Sequence, residues 1–415
     1  MRTKALLGGT VAALGLLLTL AVLSAGTVEP RLVTPPEFRT SAETASGRSI
    51  IAQDDRWIAE GNDPGEGTRW ADMSYWALRD IKALSVEGSL PPAGAAAQWD
   101  YFWPRDGAFV AVALDRTGHP EQVREIFEGI ASLPFDVRAG FDARYTLAGQ
   151  TVTDRPRGPQ SDGCGWVLWA IGSVRAHATT SLPASTGELR DRCVRHLREI
   201  TADGRSLPPA SPDYWEVEVS DVSLGTVAPM VAGLDAAAQD YAASDDTNRA
   251  AASRITADNL RASMRARFGP DYERFGGSGG LDAAVTFLMP PFATQDPEVM
   301  GRWAAYQVDA LRPAGGLAPG VDWKQDGTSW TPETALAAYT AAASGRPAVA
   351  ARWLDWLDAN RTSWGSLPEK VTGAALPAGP APLLWTDALV LLTLDELRSA
   401  SVDPFATPAR GARAY

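Results

Sequence analysis

Two glutamates, Glu216 and Glu369, carry the chemistry that this 415-residue chain is best equipped for. One closes the stretch Asp213-Tyr214-Trp215-Glu216, and the other stands in Leu367-Pro368-Glu369-Lys370. Two carboxyl groups perform acid–base work when one gives a proton while the other accepts one, and groups that face each other across a pocket can be far apart in sequence. Taken alone, a glutamate in a loop is a solvated charge, so the pair gains meaning only from its surroundings. Asp100, Asp106, Asp162, Glu218, Asp322 and Asp326 fall in the same set of connections and are further candidates.

Those connections are also rich in indoles. The chain has 15 tryptophans, and Trp99, Trp103, Trp215, Trp323, Trp330 and Trp364 fall in or beside long loops. An indole offers an apolar face to the C–H face of a sugar ring and an N–H to a hydroxyl. The plainer alternative is that they pack the loops onto a scaffold.

Composition narrows the partners. Lys and Arg total 38 against 50 Asp and Glu, a formal charge of −12. Nucleic acids and anionic membranes call for clustered positive charge, which this balance disfavours. Two cysteines and three histidines without ligand spacing give no metal site, and no phosphate-cradling glycine motif is present, so no cofactor and no metal is expected. Gly276-Gly277-Ser278-Gly279-Gly280 matches a nucleophile-elbow pattern but has no preceding strand signal and no later histidine, and reads as a loop. Cys164 and Cys193 can pair outside a cell or remain as two buried thiols.

Helical periodicity predicts twelve helices, near 66–86, 104–117, 119–132, 163–180, 187–202, 221–241, 245–268, 281–289, 296–311, 332–344, 347–360 and 382–398. Pro104, Pro332, Pro347 and Pro382 suit first turns, Thr331 suits an N-cap, and Gly118 and Gly345 suit helix ends. Pro229 predicts a late start or a kink in the sixth helix. Connections after odd-numbered helices are long, about 12–30 residues, and those after even-numbered helices are about 1–6. With antiparallel neighbours, every long loop then lies on one rim. This implies an all-α fold, an (α/α)6 barrel of six hairpins with a site at one mouth. A generic bundle or a solenoid is the alternative, and no fixed-period repeat supports the solenoid.

Before the barrel, an uncharged run from Ala5 to Val28 follows Arg2 and Lys4. Its length suits an uncleaved signal anchor, with a cleaved signal peptide as the alternative, since Ser24, Ala25 and Gly26 allow cleavage. The positive-inside rule then exports the remainder, so the expected location is extracytoplasmic, tethered or secreted. The organisation read from the sequence is an anchor at 1–28, a linker at 29–50, the barrel at 51–405 and a tail at 406–415.

Six segments, in order, resemble the catalytic domain of the glucoamylase-like glycoside hydrolases, family 15. Trp103-Pro104-Arg105-Asp106 resembles the family's aromatic-x-Arg-Asp start of helix two, and Pro159-Gln160-Ser161-Asp162-Gly163 its Pro-Gln-x-Asp-Gly turn. Tyr214-Trp215-Glu216 resembles the segment bearing the general acid, and Leu281-Asp282-Ala283-Ala284 the start of helix eight. Leu367-Pro368-Glu369-Lys370 resembles the segment bearing the general base, and Pro382-Leu383-Leu384-Trp385-Thr386-Asp387-Ala388 the start of helix twelve. The likeness runs from about residue 65 to 398.

The resemblance implies an inverting exo-acting glycosidase of α-glucosidase type. Glu216 would protonate the glycosidic oxygen and Glu369 would activate water on the opposite face, with carboxyl groups roughly 6.5–9.5 Å apart. It places Arg105, Asp106, Trp103, Trp215, Asp162 and Trp385 at the sugar. Four departures fall on expected contacts: Gly158 replaces an Arg with Arg157 beside it, Gly316–Gly320 lacks an Arg with Lys324 nearby, Lys370 replaces Gln, and Asp387 replaces an aromatic or His. Competing readings are a trehalase-like or other envelope-sugar hydrolase, a non-catalytic glycan-binding barrel, and a helical-barrel lyase, which the few His residues disfavour.

Overall fold

Amphipathic and fully apolar helices alternate along the chain, and that alternation builds the fold. The computed structural model describes residues 32–33, 45–96, 98–154 and 157–400. Among these residues are α1 (Ala45–Glu60), α2 (Ala71–Leu84), α3 (Pro104–Arg116), α4 (Pro120–Ser132), α5 (Gly163–His177), α6 (Ser185–Ile200), α7 (Leu224–Ala243) and α8 (Thr247–Phe268). A 3-10 helix (Ala283–Leu288), α9 (Pro297–Asp309), α10 (Thr331–Ala343), α11 (Pro347–Ala359) and α12 (Leu384–Ser399) follow. Along α4 only Val123, Ile126, Phe127 and Ile130 are buried, one stripe of a surface helix. Along α3 every residue from Pro104 to Asp115 is buried, as is every residue of α10 from Thr331 to Ala342. A helix buried on all sides needs neighbours on all sides.

The packing supplies them in a closed ring. Helix α3 packs on α5, α5 on α7, α7 on the 3-10 helix, that helix on α10, α10 on α12, and α12 back on α3. The amphipathic α2, α4, α6, α8, α9 and α11 lie against this ring from outside. The architecture is therefore the (α/α)6 barrel expected from the loop lengths. Close approach within the ring needs glycine: a Cβ on Gly233 would stand 2.4 Å from the Gly165 carbonyl oxygen, so α5 and α7 meet backbone to backbone.

Several local expectations change. The eighth expected helix is 3-10, because Pro290 and Pro291 stop it after one short run. The sixth begins late, at Leu224, with Ser223 Oγ accepting from the Thr226 amide and Pro229 lying inside the helix. Thr331 is not an N-cap: its amide donates to the Glu369 carbonyl (3.0 Å) and its hydroxyl to the Pro368 carbonyl. The stretch read as linker contains structure. Leu32–Val33 forms β1, which pairs in parallel with β4 (Pro377–Pro380), and β4 and β2 (Ser329–Trp330) flank β3 (Lys370–Val371) antiparallel. Strands of two to four residues held through backbone groups leave no hydrophobic signature. Helix α1 also begins inside that stretch and packs on α2, with Trp57 stacked on His119 at 3.5 Å between ring centroids.

The run Ala5–Val28 and the tail 406–415 lie outside the described residues. Among those described, no helix is long and apolar enough to cross a membrane. Cys164 of α5 and Cys193 of α6 form a disulfide, with Cα atoms 5.1 Å apart. Because the bond closes a loop of 29 residues' separation, the double variant Cys164→Ala/Cys193→Ala is expected to lose about 3 kcal/mol of unfolding free energy in urea titration while its far-UV circular dichroism stays helical.

Candidate active site

Each outer helix hands the chain through a long connection to the N-terminus of an inner helix, so six connections converge on one mouth. Five of them, all but the one leading out of α8, line a hollow of about 270 Å³. Its wall includes Trp99, Trp103, Arg105, Asp106, Arg157, Trp215, Glu216, Trp323, Lys324, Trp330, Glu333, Glu369, Lys370 and Trp385. A larger hollow, about 480 Å³, lies on the outside between α6 and α8, lined by Arg198–Asp203 and Arg249–Asp191 ion pairs and not by indoles. Its surroundings offer no facing glutamates.

Glu216 owes its position to a turn built beneath it. The Glu216 amide donates to the Asp213 carbonyl (2.8 Å) and the Trp215 amide to Asp213 Oδ1 (3.0 Å). This puts Glu216 at φ +57°, a left-handed conformation that a side chain occupies only when its surroundings impose it. The surroundings are a buried charge cluster. Arg274 Nη2 donates to Asp213 Oδ1 (2.8 Å) and Nη1 to Asp282 Oδ2 (2.9 Å), while its guanidinium lies 3.7 Å from the Trp215 ring centroid. Burial raises the Asp282 carboxyl to about 6, opposed by Arg274. Above the turn, Glu216 Oε1 accepts from Trp103 Nε1 (2.9 Å) and Gln160 Nε2 (3.1 Å), and Arg157 pairs with Oε2.

Glu369 is held by strand pairing. Its amide donates to the Pro380 carbonyl (2.8 Å), and Lys370 directly after it pairs with Trp330 across β3 and β2. Glu369 Oε1 accepts from Trp99 Nε1 (3.0 Å), and Oε2 stands 2.7 Å from Lys370 Nζ. Gly379 makes room: a Cβ there would stand 2.8 Å from Glu369 Oε2, and its φ is +73°. Trp99 and Trp103 belong to one loop, and each grips one of the two glutamates. That shared grip sets Glu216 and Glu369 on the wall of one hollow.

The inner end carries Arg105 and Asp106, the first turn of α3. Arg105 Nε donates to Asp106 Oδ1 (2.8 Å), its guanidinium lies 4.7 Å from the Trp385 ring centroid, and Nη1 is 3.7 Å from Glu216 Oε1. Burial opposes the Arg105 charge, but Asp106, Glu216 and Asp162 outweigh it and the pKa is raised. Burial also raises Asp106; Arg105 opposes that, while Glu216 and Glu369 both add to it, as expected for a carboxyl within reach of both. Glu333, on the first turn of α10, is raised to about 8 by burial, with Glu369 adding and Arg105 and Lys370 opposing.

Of the residues singled out in the sequence, Glu216, Glu369, Arg105, Asp106, Trp103, Trp215 and Trp385 come together on this wall. Asp162 does not reach it. It is buried at the start of α5, accepts from Trp166 Nε1 (3.2 Å), and is raised to about 7 by burial. Asp387 is likewise buried off the wall, where burial and then Asp80 hold it well above the carboxylate range. Trp364 lies off the wall and donates to Ser366 Oγ (3.0 Å). Asp100, Glu218, Asp322 and Asp326 are exposed and off the wall. Sequence reasoning passed over Glu333 and Arg274. Glu333 had a signal in the proline-started helix after Trp330; Arg274 had none, being distant in sequence from Asp213. Among the described residues no group of three or more His, Cys, Asp or Glu is disposed to hold a metal ion.

Two measurements follow from these charges. Removing Arg274 leaves two buried carboxylates without their counter-ion, so Arg274→Met is expected to cost about 3–5 kcal/mol in chemical denaturation. Glu333 keeps its proton to about 8 when folded against an ordinary 4.5, so between those values the folded chain binds more protons than the unfolded one. Stability then falls as pH rises through that window. Differential scanning calorimetry should show the melting temperature declining from pH 5 to pH 8, less steeply in Glu333→Gln.

No protein-family model matches the chain, and no curated protein matches it. Solved structures do. A wild-type glycosidase superposes with a TM-score of 0.67 at 22% identity, covering 79% of this chain and 97% of that one, and a variant of it solved in complex with glucose gives the same values. A bacterial glucoamylase complexed with acarbose has a TM-score of 0.64 at 16% identity, over 82% of this chain and 57% of that one. The glucoamylase of Saccharomycopsis fibuligera has a TM-score of 0.62 at 15% identity, over 86% of this chain and 96% of that one. At such identities the likeness is one of fold, and the fold of this chain is the six-hairpin barrel of the glucoamylase-like glycosidases.

Proposed function

We propose that this protein is an inverting, exo-acting glycoside hydrolase, an α-glucosidase of glucoamylase type. The observation that carries the proposal is the shared grip of one loop on two glutamates, Trp103 on Glu216 and Trp99 on Glu369, at a hollow with an Arg105–Asp106 pair at its inner end. Arg105 and Asp106 hold hydroxyls of the terminal sugar, and the buried Tyr214, Leu383 and Trp385 close that end, which suits attack from a chain end. Glu216 gives its proton to the glycosidic oxygen as the bond to the anomeric carbon breaks. Water attacks that carbon from the opposite face, and Glu369 takes the water's proton. The glucose-bound and acarbose-bound neighbours support a glucoside as substrate.

The location is proposed on two grounds. The disulfide suits an oxidising compartment, and the run Ala5–Val28 suits an anchor or an export signal.

Product analysis tests the mechanism. On a panel of α-glucosides, NMR should show the attacked glucose released first as its β-anomer, while trehalose should give equal β- and α-glucose because only one of its two rings is attacked. Glu216→Gln and Glu369→Gln should each lower kcat by about 10²–10⁴. α-Glucosyl fluoride needs no protonation to depart, so Glu216→Gln should keep turnover on it and Glu369→Gln should not. An α-anomeric product from the attacked ring, or unchanged turnover in either variant, would remove the assigned roles.

A further inference from the structure

The lysines of this chain are Lys4, Lys82, Lys324 and Lys370, and Lys324 and Lys370 both line the hollow. Arg157 joins them. In a chain of formal charge −12, such a gathering is not what surface composition supplies. Arg157 and Lys324 are exposed and Lys370 is part-buried, whereas Arg105 and Asp106 are buried. Arg157 pairs with Glu216 and keeps 39% of its side chain exposed. Lys324 is exposed, with Nζ 5.3 Å from the Trp323 ring centroid. Lys370 Nζ lies 4.2 Å from the Trp330 centroid and 2.7 Å from Glu369 Oε2. Trp323 meets Trp215 and Trp330 edge-on, at 4.5 and 5.7 Å between centroids, so the two lysines and the Glu216 loop share one aromatic floor.

The charges on this wall do not balance in the reactive state. Its carboxyl groups are Asp106, Glu216, Glu333 and Glu369. Glu216 must carry a proton to act as the acid, and Glu333 holds its proton up to about 8. Asp106 is paired to Arg105 at the inner end, which leaves Glu369 as the single anion facing Arg157, Lys324 and Lys370. Asp322 and Asp326 of the Lys324 loop are off the wall. The sugar retained after cleavage occupies the inner end, so the group that departs lies at the outer end, among the cations.

Resting on the hydrolase reading of this site, the geometry points to a substrate whose leaving group carries a negative charge, held by Arg157, Lys324 and Lys370. The departing alcohol keeps the proton from Glu216 on its oxygen, and its anionic group takes no part in bond breaking. Cations at a pocket mouth raise the local concentration of such a substrate and orient it.

The test compares two alkyl α-glucosides of equal length, one ending in a carboxylate and one in the primary amide of the same shape. The expected result is a kcat/KM at least about tenfold higher for the carboxylate, shrinking as salt is raised, and near parity in Lys324→Gln/Lys370→Gln. Equal kcat/KM for both compounds in the wild type would overturn the inference and leave the hydrolase reading standing. A preference that survives Arg157→Gln/Lys324→Gln/Lys370→Gln would overturn the assignment to these side chains. If neither glucoside is cleaved, the hydrolase reading fails, and calorimetry with the uncleavable S-linked pair decides the inference separately: tighter binding of the carboxylate supports it, and equal or absent binding overturns it.

Discussion

A guanidinium locked between two buried aspartates underlies this structure. Arg274 bonds Asp213 on one side and Asp282 on the other, and its flat face supports Trp215. Two connections are tied at that point: the one bearing Glu216, and the one running from α8 to the 3-10 helix, which carries both Arg274 and Asp282. A planar five-donor fork suits this task, since a lysine's compact ammonium could not hold both carboxylates in fixed geometry while laying a flat face against an indole. The left-handed conformation of Glu216 follows, because the Asp213 turn is itself held rigid.

The other glutamate is held by a different device. Backbone pairing across β3 and β4 fixes the Glu369 main chain, and Thr331 ties that strand to the first turn of α10. One side of the hollow is thus clamped by buried charge and the other by a small sheet, with Trp99 and Trp103 bridging them. Two unlike supports converging on one cavity is what a site needing fixed separation between two acids would require.

Much of this was legible in residue order. Helical periodicity marked the helices, and alternating loop lengths placed the mouth. Trp-Glu and Pro-Glu segments at matching loops pointed to Glu216 and Glu369 before any coordinates. What escaped were relations without local signature. Nothing near Arg274 advertises Asp213, and nothing in Leu32–Val33 advertises a partner across the chain at Gly379–Pro380. Asp162 and Asp387 were misplaced for a related reason: a helix start aims some side chains into the cavity and others into the ring, and identity alone does not tell which. Thr331 looked like a cap because threonine often is one, but its hydroxyl found a nearer acceptor in the Pro368 carbonyl.

The ring of inner helices has a further consequence. Because each wall segment is delivered by its own connection into its own inner helix, the segments meet at the mouth through side-chain and strand contacts and not through continuous chain. A lineage carrying this scaffold can lengthen, shorten or recharge one of them piecemeal while the helical ring goes on folding unchanged. On the hydrolase reading proposed above, substrate range can then drift one connection at a time while Glu216 and Glu369 stay in place.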